Sequence, residues 1–212
     1  MRKILLFAAA LAASPSLFAQ SRIDFSSGQV TVGKNPAAQA QELHPGDVVA
    51  TGPDAAAVLL LEDGTKVKLK SDSKVELVKL RKPAEVKLLA GGVFSQVDHA
   101  RGAGFKMRTK TATMGVRGTQ FFTSIAGDDG DVWMCVNDGE VAVTLDGTRL
   151  MPQLVKAGQG IQIAGGKKIT PPRKYKWTEE LNWKMDAKEG DIQDKTDLNA
   201  PYREKLLKHD YD

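Results

Sequence analysis

Lys106, Arg108 and Lys110 fall at every second position of a stretch, FKMRTKTATMGVRGTQFFTSI (residues 105–125), that later sets Arg117 beside Gly118. In an extended chain, alternate residues share a face, so the three cations form one basic stripe opposite Phe105, Met107, Thr109, Thr111 and Thr113. Such a stripe could meet an anionic glycan or an acidic partner, although a solvated strand face is the commoner use of the pattern. Arg117 offers a planar guanidinium that could hold a carboxylate or phosphate by two parallel hydrogen bonds. Its apolar flanks favour a structural role instead: capping backbone carbonyls, or pairing with an acid beneath the 115–119 turn. Trp177 and Trp183, in the C-terminal tail, complete the set of candidate contact residues.

Catalytic chemistry finds no such constellation. His44, His99 and His209 are far apart, and none stands in a His-Glu pattern or near paired cysteines suited to zinc. Cys135 is the only cysteine and lies in the run Val132-Trp133-Met134-Cys135-Val136, where it reads as a small buried hydrophobe. No serine occupies a nucleophile elbow, and the runs Gly91-Gly92 and Gly102-Ala103-Gly104 lack the Lys-Ser/Thr of a phosphate loop. Asp128, Asp129 and Asp131 around Gly130 could ligate calcium, but turn chemistry accounts for them equally well and is preferred. The expectation is a non-enzyme with no cofactor and no metal site.

The elements that would position these residues are short strands. SSGQVTV (26–32) opens the series, and Leu43-His44-Pro45-Gly46-Asp47 is a turn into the strand at Val48 and Val49. Residues 57–62 and 66–70 predict a hairpin around Asp63-Gly64 with a type I′ turn. Its first strand should be buried on both faces, and its second should carry a lysine-covered face. Segments 73–80, 85–89 and 93–97 follow, separated by Arg81-Lys82-Pro83 and Gly91-Gly92. The 105–113 alternation predicts one half-buried strand, and Gly115 and Gly118 predict positive φ or close backbone approach. Residues 120–125 form the next strand. A second hairpin is predicted around Asp138-Gly139, joining 132–136 to 140–145, before a last strand at 161–164. Strands of this length and spacing make an all-β domain, and a solenoid-like stack and a sandwich both fit.

From Lys167 glycine nearly disappears, and Trp177, Leu181, Met185 and Lys188 fall at helical spacing with Trp183 offset. A partly helical tail over 167–212, with 188–200 loose, is therefore expected, packing its tryptophans onto an end or edge of the β domain; a partner-binding helix is the alternative. At the other terminus Arg2 and Lys3 precede an apolar run (4–13), Pro15 and the small Ala19, the pattern of a cleaved export signal over 1–19. That leaves a β domain over 20–166. No segment has the length of a membrane span. The 30 basic and 26 acidic side chains give a net charge of +4 without a basic cluster, which argues against nucleic acid as a partner.

Several of these segments, in this order, resemble the FecR domain family. The resemblance rests on Gly28-Gln29-Val30, Leu43 with Gly46-Asp47, the 61–65 hairpin, residues 88–94, Val116-Arg117-Gly118-Thr119-Gln120-Phe121, Asp138-Gly139-Glu140-Val141 and Ala157-Gly158-Gln159, and covers most of 26–164. Iron-uptake regulators of that family carry a cytoplasmic anti-sigma segment and a membrane helix ahead of this domain. Here an export signal takes their place, so direct control of a sigma factor is not implied. The resemblance implies a periplasmic or secreted protein of a Gram-negative bacterium, an interaction or sensing module in envelope signalling or assembly. Its partner would be an envelope protein, met by strand addition or helix docking. The alternative is a cell-wall or polysaccharide-binding protein using exposed aromatics and the basic stripe.

Overall fold

A computed structural model of the chain describes residues 20–98, 104–126, 131–175 and 177–196. The expected export signal, His99, Asp128, Asp129, His209 and residues 197–212 lie outside the described residues. The strands are, in chain order, β1 (Arg22–Ser27), β2 (Val30–Val32), β3 (Asn35–Pro36), β4 (Val48–Thr51), β5 (Ala56–Leu60) and β6 (Lys66–Leu69). Then come β7 (Lys74–Lys79), β8 (Ala84–Ala90), β9 (Gly92–Gln96), β10 (Phe105–Arg108), β11 (Ala112–Val116) and β12 (Gln120–Ala126). The series ends with β13 (Asp131–Asp138), β14 (Glu140–Leu145), β15 (Gln153–Lys156), β16 (Gly160–Ala164) and β17 (Lys168–Ile169).

These strands build two sheets. Sheet A runs β1-β5-β6-β9-β12-β13-β16-β17, and sheet B runs β15-β14-β11-β10-β8-β7-β4-β2-β3. The fold is all-β, as expected, and of the two architectures left open it is mainly the sandwich. Inward residues of both sheets, among them Leu59, Val67, Leu77, Val86, Met107, Met114, Phe121 and Val143, form one buried core. Phe105 of sheet B and Phe121 of sheet A meet across it with ring centroids 6.3 Å apart. The solenoid reading survives in one wrap: β8 and β10 pair in parallel in sheet B, while β9 between them lies in sheet A. A parallel pair needs such a crossover, and here a strand supplies it.

The β5–β6 hairpin forms as predicted, with β5 buried along nearly all its length. Its turn differs from the type I′ expectation. Leu61 N–H reaches Thr65 O (2.8 Å) and Gly64 N–H reaches Leu61 O (2.9 Å), closing a three-residue loop in which Gly64, at φ 85°, takes the positive-φ position. Three other expectations are corrected. The 105–113 alternation is not one strand, because β10 stops at Arg108 and turns back into β11. Thr109 Oγ1 causes the break by accepting Ala112 N–H (3.1 Å) and Thr111 N–H (3.4 Å). Ala112, Met114 and Val116 therefore enter the core in place of Thr111 and Thr113. Asp138-Gly139 does not make a hairpin, because β13 belongs to sheet A and β14 to sheet B. It is a corner between the sheets.

The tail is partly helical, as expected, but the helix is shorter than the spacing of Trp177, Leu181, Met185 and Lys188 implies. Only Trp177–Glu180 is α-helical, followed by a 3₁₀ turn at Ala187–Glu189. Trp177, Leu181 and Met185 are nevertheless buried, together with Ile192, and the tail covers the outer face of sheet A rather than an end or edge. The sheet edges are guarded by other means. Residues 37–43 run along β1, with Ile23 N–H bonded to Gln41 O (2.9 Å) and Leu43 N–H to Ser21 O (2.8 Å). β3 ends in Pro36. At β15, Lys156 N–H goes to Gln159 Oε1 (3.0 Å) and its carbonyl receives Gln159 N–H (3.0 Å). These contacts occupy the edge at β1 and part of the edges at β3 and β15.

Candidate functional site

The predicted site residues separate onto two faces. Lys106 and Arg108 point outward from β10 on sheet B, and Lys110 lies exposed in the turn after it. Arg108 is engaged: Nη1 lies 3.1 Å from Glu85 Oε1 and Nη2 lies 3.7 Å from Asp146 Oδ2. Asp146 also accepts Thr113 Oγ1–H at 2.8 Å. The bond to Glu85 raises the guanidinium pKa further above its usual value. Lys106 and Lys110 make no ion pair among the described residues, and they share this face with Lys74 and Lys87 of the neighbouring strands.

Arg117 sits where the chain leaves β11 in sheet B for β12 in sheet A. Its side chain is exposed and makes neither the carbonyl cap nor the acid pair expected of it, among the described residues. Thr119 does the structural work instead. Its hydroxyl donates to Glu140 O (3.0 Å), and its carbonyl receives Val97 N–H (2.9 Å). Gly118, at φ 59°, turns the corner against Gly139, at φ 84°. A Cβ on Gly139 would stand 2.7 Å from Gly118 O, so the two corners abut backbone to backbone. Gly115, by contrast, lies in an ordinary strand, where a Cβ would make only a van der Waals contact with Ala142 O at 3.9 Å.

On the opposite face, an unforeseen set of residues binds the tail to sheet A. Lys68, Phe94, Phe122, Cys135 and Gly160 are successive register partners across β6, β9, β12, β13 and β16. The Lys68 ammonium lies 4.1 Å from the Phe94 ring centroid and donates to Asn182 O (2.5 Å) and Lys184 O (2.7 Å). Lys70 binds the Asp194 carboxylate and Thr196 O (2.8 Å). Asp194 accepts Asn182 N–H at 2.6 Å, and Lys66 Nζ stands 3.5 Å from Asp186. All three lysines on the outward side of β6 thus meet the tail. These bonds keep the helix to a single turn, since the 182 and 184 carbonyls face lysine rather than a following turn. Sequence period announced the lysine face, but nothing local showed that a segment over 100 residues away would cover it.

Trp177 is 8 % exposed and packs edge-on to Phe122 and Trp133, at 6.4 and 6.3 Å between centroids. Trp183 is half-buried and edge-on to Phe94 at 5.3 Å. Cys135 beneath them is fully buried, and desolvation pushes its thiol well above the usual range. Elsewhere, a cleft of about 850 Å³ is bordered by Glu42, His44, Glu62 and Arg81. In it His44 stands 3.5 Å from Glu42, and Arg81 stands 3.7 Å from Glu62. Among the described residues no group of three or more His, Cys, Asp or Glu could hold a metal ion, and no helix is long and apolar enough to cross a membrane.

Two crystal structures share the fold, each of a proposed anti-sigma factor from Parabacteroides distasonis ATCC 8503. The structure at 2.50 Å is 18 % identical with a TM-score of 0.53, and covers 63 % of this chain and 62 % of its own. The structure at 1.65 Å is 19 % identical with a TM-score of 0.51, and covers 63 % of each chain. This chain therefore spans less than two thirds of either, and the likeness is one of fold. No curated protein matches it. The family model described as FecR protein matches residues 47–142, which run from the residue before β4 to the third residue of β14. Over those residues the chain resembles the FecR family.

Proposed function

We propose that this chain is a non-catalytic, periplasmic FecR-domain protein that acts as a protein-interaction module in envelope signalling or assembly. The observation that carries the proposal is the division of labour between the two outer faces. The tail occupies sheet A, with Trp177 buried as packing. Sheet B and the corner beside it present Lys106, Lys110 and Arg117 without ion pairs among the described residues, so an acidic surface on an envelope protein is the complementary partner. The free cations on the sheet face and corner make docking there the expected contact.

The test is affinity capture from cross-linked envelope extract with the full chain, scoring protein and glycan together. A specific protein is expected to be recovered by the native chain and by Lys34→Glu, an exposed control. It should be lost when Lys106, Lys110 and Arg117 are all changed to Glu. Capture of glycan alone, or protein capture indifferent to the triple change, would overturn this assignment.

A further inference from the structure

Where the tail crosses the end of β13, a groove of about 400 Å³ opens beside Asn137, Lys174, Tyr175, Thr178, Glu179 and Trp183. Its two aromatic residues are half-buried and held from behind. Trp183 donates its indole N–H to Thr178 O (3.2 Å), its carbonyl receives Gln120 Nε2–H (2.9 Å), and its ring stands against Phe94 at 87°. Tyr175 stands edge-on to Trp133, centroids 5.9 Å apart, and its carbonyl receives the Thr178 hydroxyl at 2.7 Å. Rings fixed in this way lose little further freedom when a ligand stacks on them.

The polar groups around the rings differ in what they have left to give. Glu179 and Lys174 are exposed and make no ion pair among the described residues. Asn137 spends its Nδ2 on Gln120 Oε1 (2.6 Å) and keeps its carbonyl oxygen as an acceptor. Aromatic faces beside an unclaimed carboxylate, ammonium and amide oxygen match a pyranose ring. One side of such a ring presents C–H groups that pack on an aromatic face, and its rim presents hydroxyls that both donate and accept. A proline-rich peptide also uses aromatic grooves, but it brings carbonyl acceptors and no proline N–H. The indole N–H is already bonded to Thr178, which leaves Lys174 as the donor, whereas the Glu179 carboxylate and the Asn137 oxygen call for a ligand that donates.

We propose that this groove is a saccharide subsite taking one or two pyranose rings of an oligosaccharide. The volume sits at the lower end of ligand clefts, about 300–1,000 Å³, which limits the bound length to that size. The subsite lies on the tail side of the molecule, away from the basic face of sheet B, and stands independently of the partner assigned there.

The experiment is calorimetric titration of the full chain with N,N′-diacetylchitobiose, with cellobiose and with a ten-residue polyproline peptide, repeated on Asn137→Ala, Glu179→Ala and Tyr175→Ala. Saturable heat is expected with at least one disaccharide and none with the peptide. Affinity should fall about tenfold in Tyr175→Ala and about threefold or more in Asn137→Ala and Glu179→Ala. Tyr175 braces buried neighbours, so the two exposed rim variants keep the test valid if that variant misfolds. No saturable heat up to about 10 mM of either disaccharide, binding unchanged in both rim variants, or saturation by the peptide would each overturn the proposal.

Discussion

Lys68 gives its ammonium to the carbonyl of Asn182, 114 residues further along the chain, at 2.5 Å. The contact places a positive charge at 1 % exposure between an aromatic ring and two main-chain oxygens. Burial pushes its pKa from 10.5 down to about 8, the charge of Asp194 works the other way, and Lys70 adds to the drop.

The first prediction follows from the sign of that shift. Between about pH 8 and pH 10.5 the unfolded chain holds more protons at Lys68 than the folded one, so stability rises with pH there. Below that window the contribution is constant and at its least favourable. Urea unfolding should show a gain of up to about 3 kcal/mol from about pH 7 to about pH 10.5, and Lys68→Met should lack it. An equal gain in both proteins would assign the effect to another group.

A second prediction concerns Asp194, whose carboxylate is fully buried and serves Lys70, Asn182 N–H and Thr196 N–H at once. Asp194→Ala leaves the Lys70 ammonium buried without its counter-charge, a loss on the order of 3–5 kcal/mol. Replacing the pair together, Lys70→Met with Asp194→Leu, removes the stranded charge and should recover part of that loss. Urea denaturation of Lys70→Met, Asp194→Leu and the double variant, beside Asp194→Ala, decides it. A double variant as unstable as the sum of the single ones would mean that the two residues act independently.

The corner at Gly139 supplies the third. Alanine there must hold φ 84° and bring its Cβ within 3 Å of both Gly118 O and Thr119 Oγ1. Gly33→Ala meets a positive φ of 62° but open space, so it isolates the backbone cost, about 1 kcal/mol. Gly139→Ala should lose at least about 2 kcal/mol because contact strain adds to it. Equal losses at the two sites in thermal or urea melts would show that the corners do not press on one another.

Much of this architecture was legible in residue order. The period of two marked β7, β8 and β14, Asp63-Gly64 marked a turn, and the lysines of β6 marked an outward face. The failures share a cause. Period and turn chemistry report on a strand and its neighbour in sequence, not on which sheet a strand joins. Asp138-Gly139 carries the same local signal whether the chain folds back or crosses between layers. At Thr109 the alternation of types continued, yet a side-chain oxygen captured two amides and reversed the chain. The candidate residues show the same limit. Exposure of Lys106 followed from its place in a strand, whereas the burial of Trp177 depended on sheet strands far away in sequence.

The clasp over sheet A also sets an order of events during biosynthesis. Phe94, Phe122 and Trp133 are translated well before residues 177–194, which shield them in the finished protein. Until that last segment emerges, the nascent chain displays a row of aromatic rings flanked by lysines. An exposed apolar surface of that kind favours aggregation until the covering segment has been made. A recombinant fragment cut at the limits of the FecR match would keep that surface bare permanently, and its poor solubility would say nothing about the intact protein.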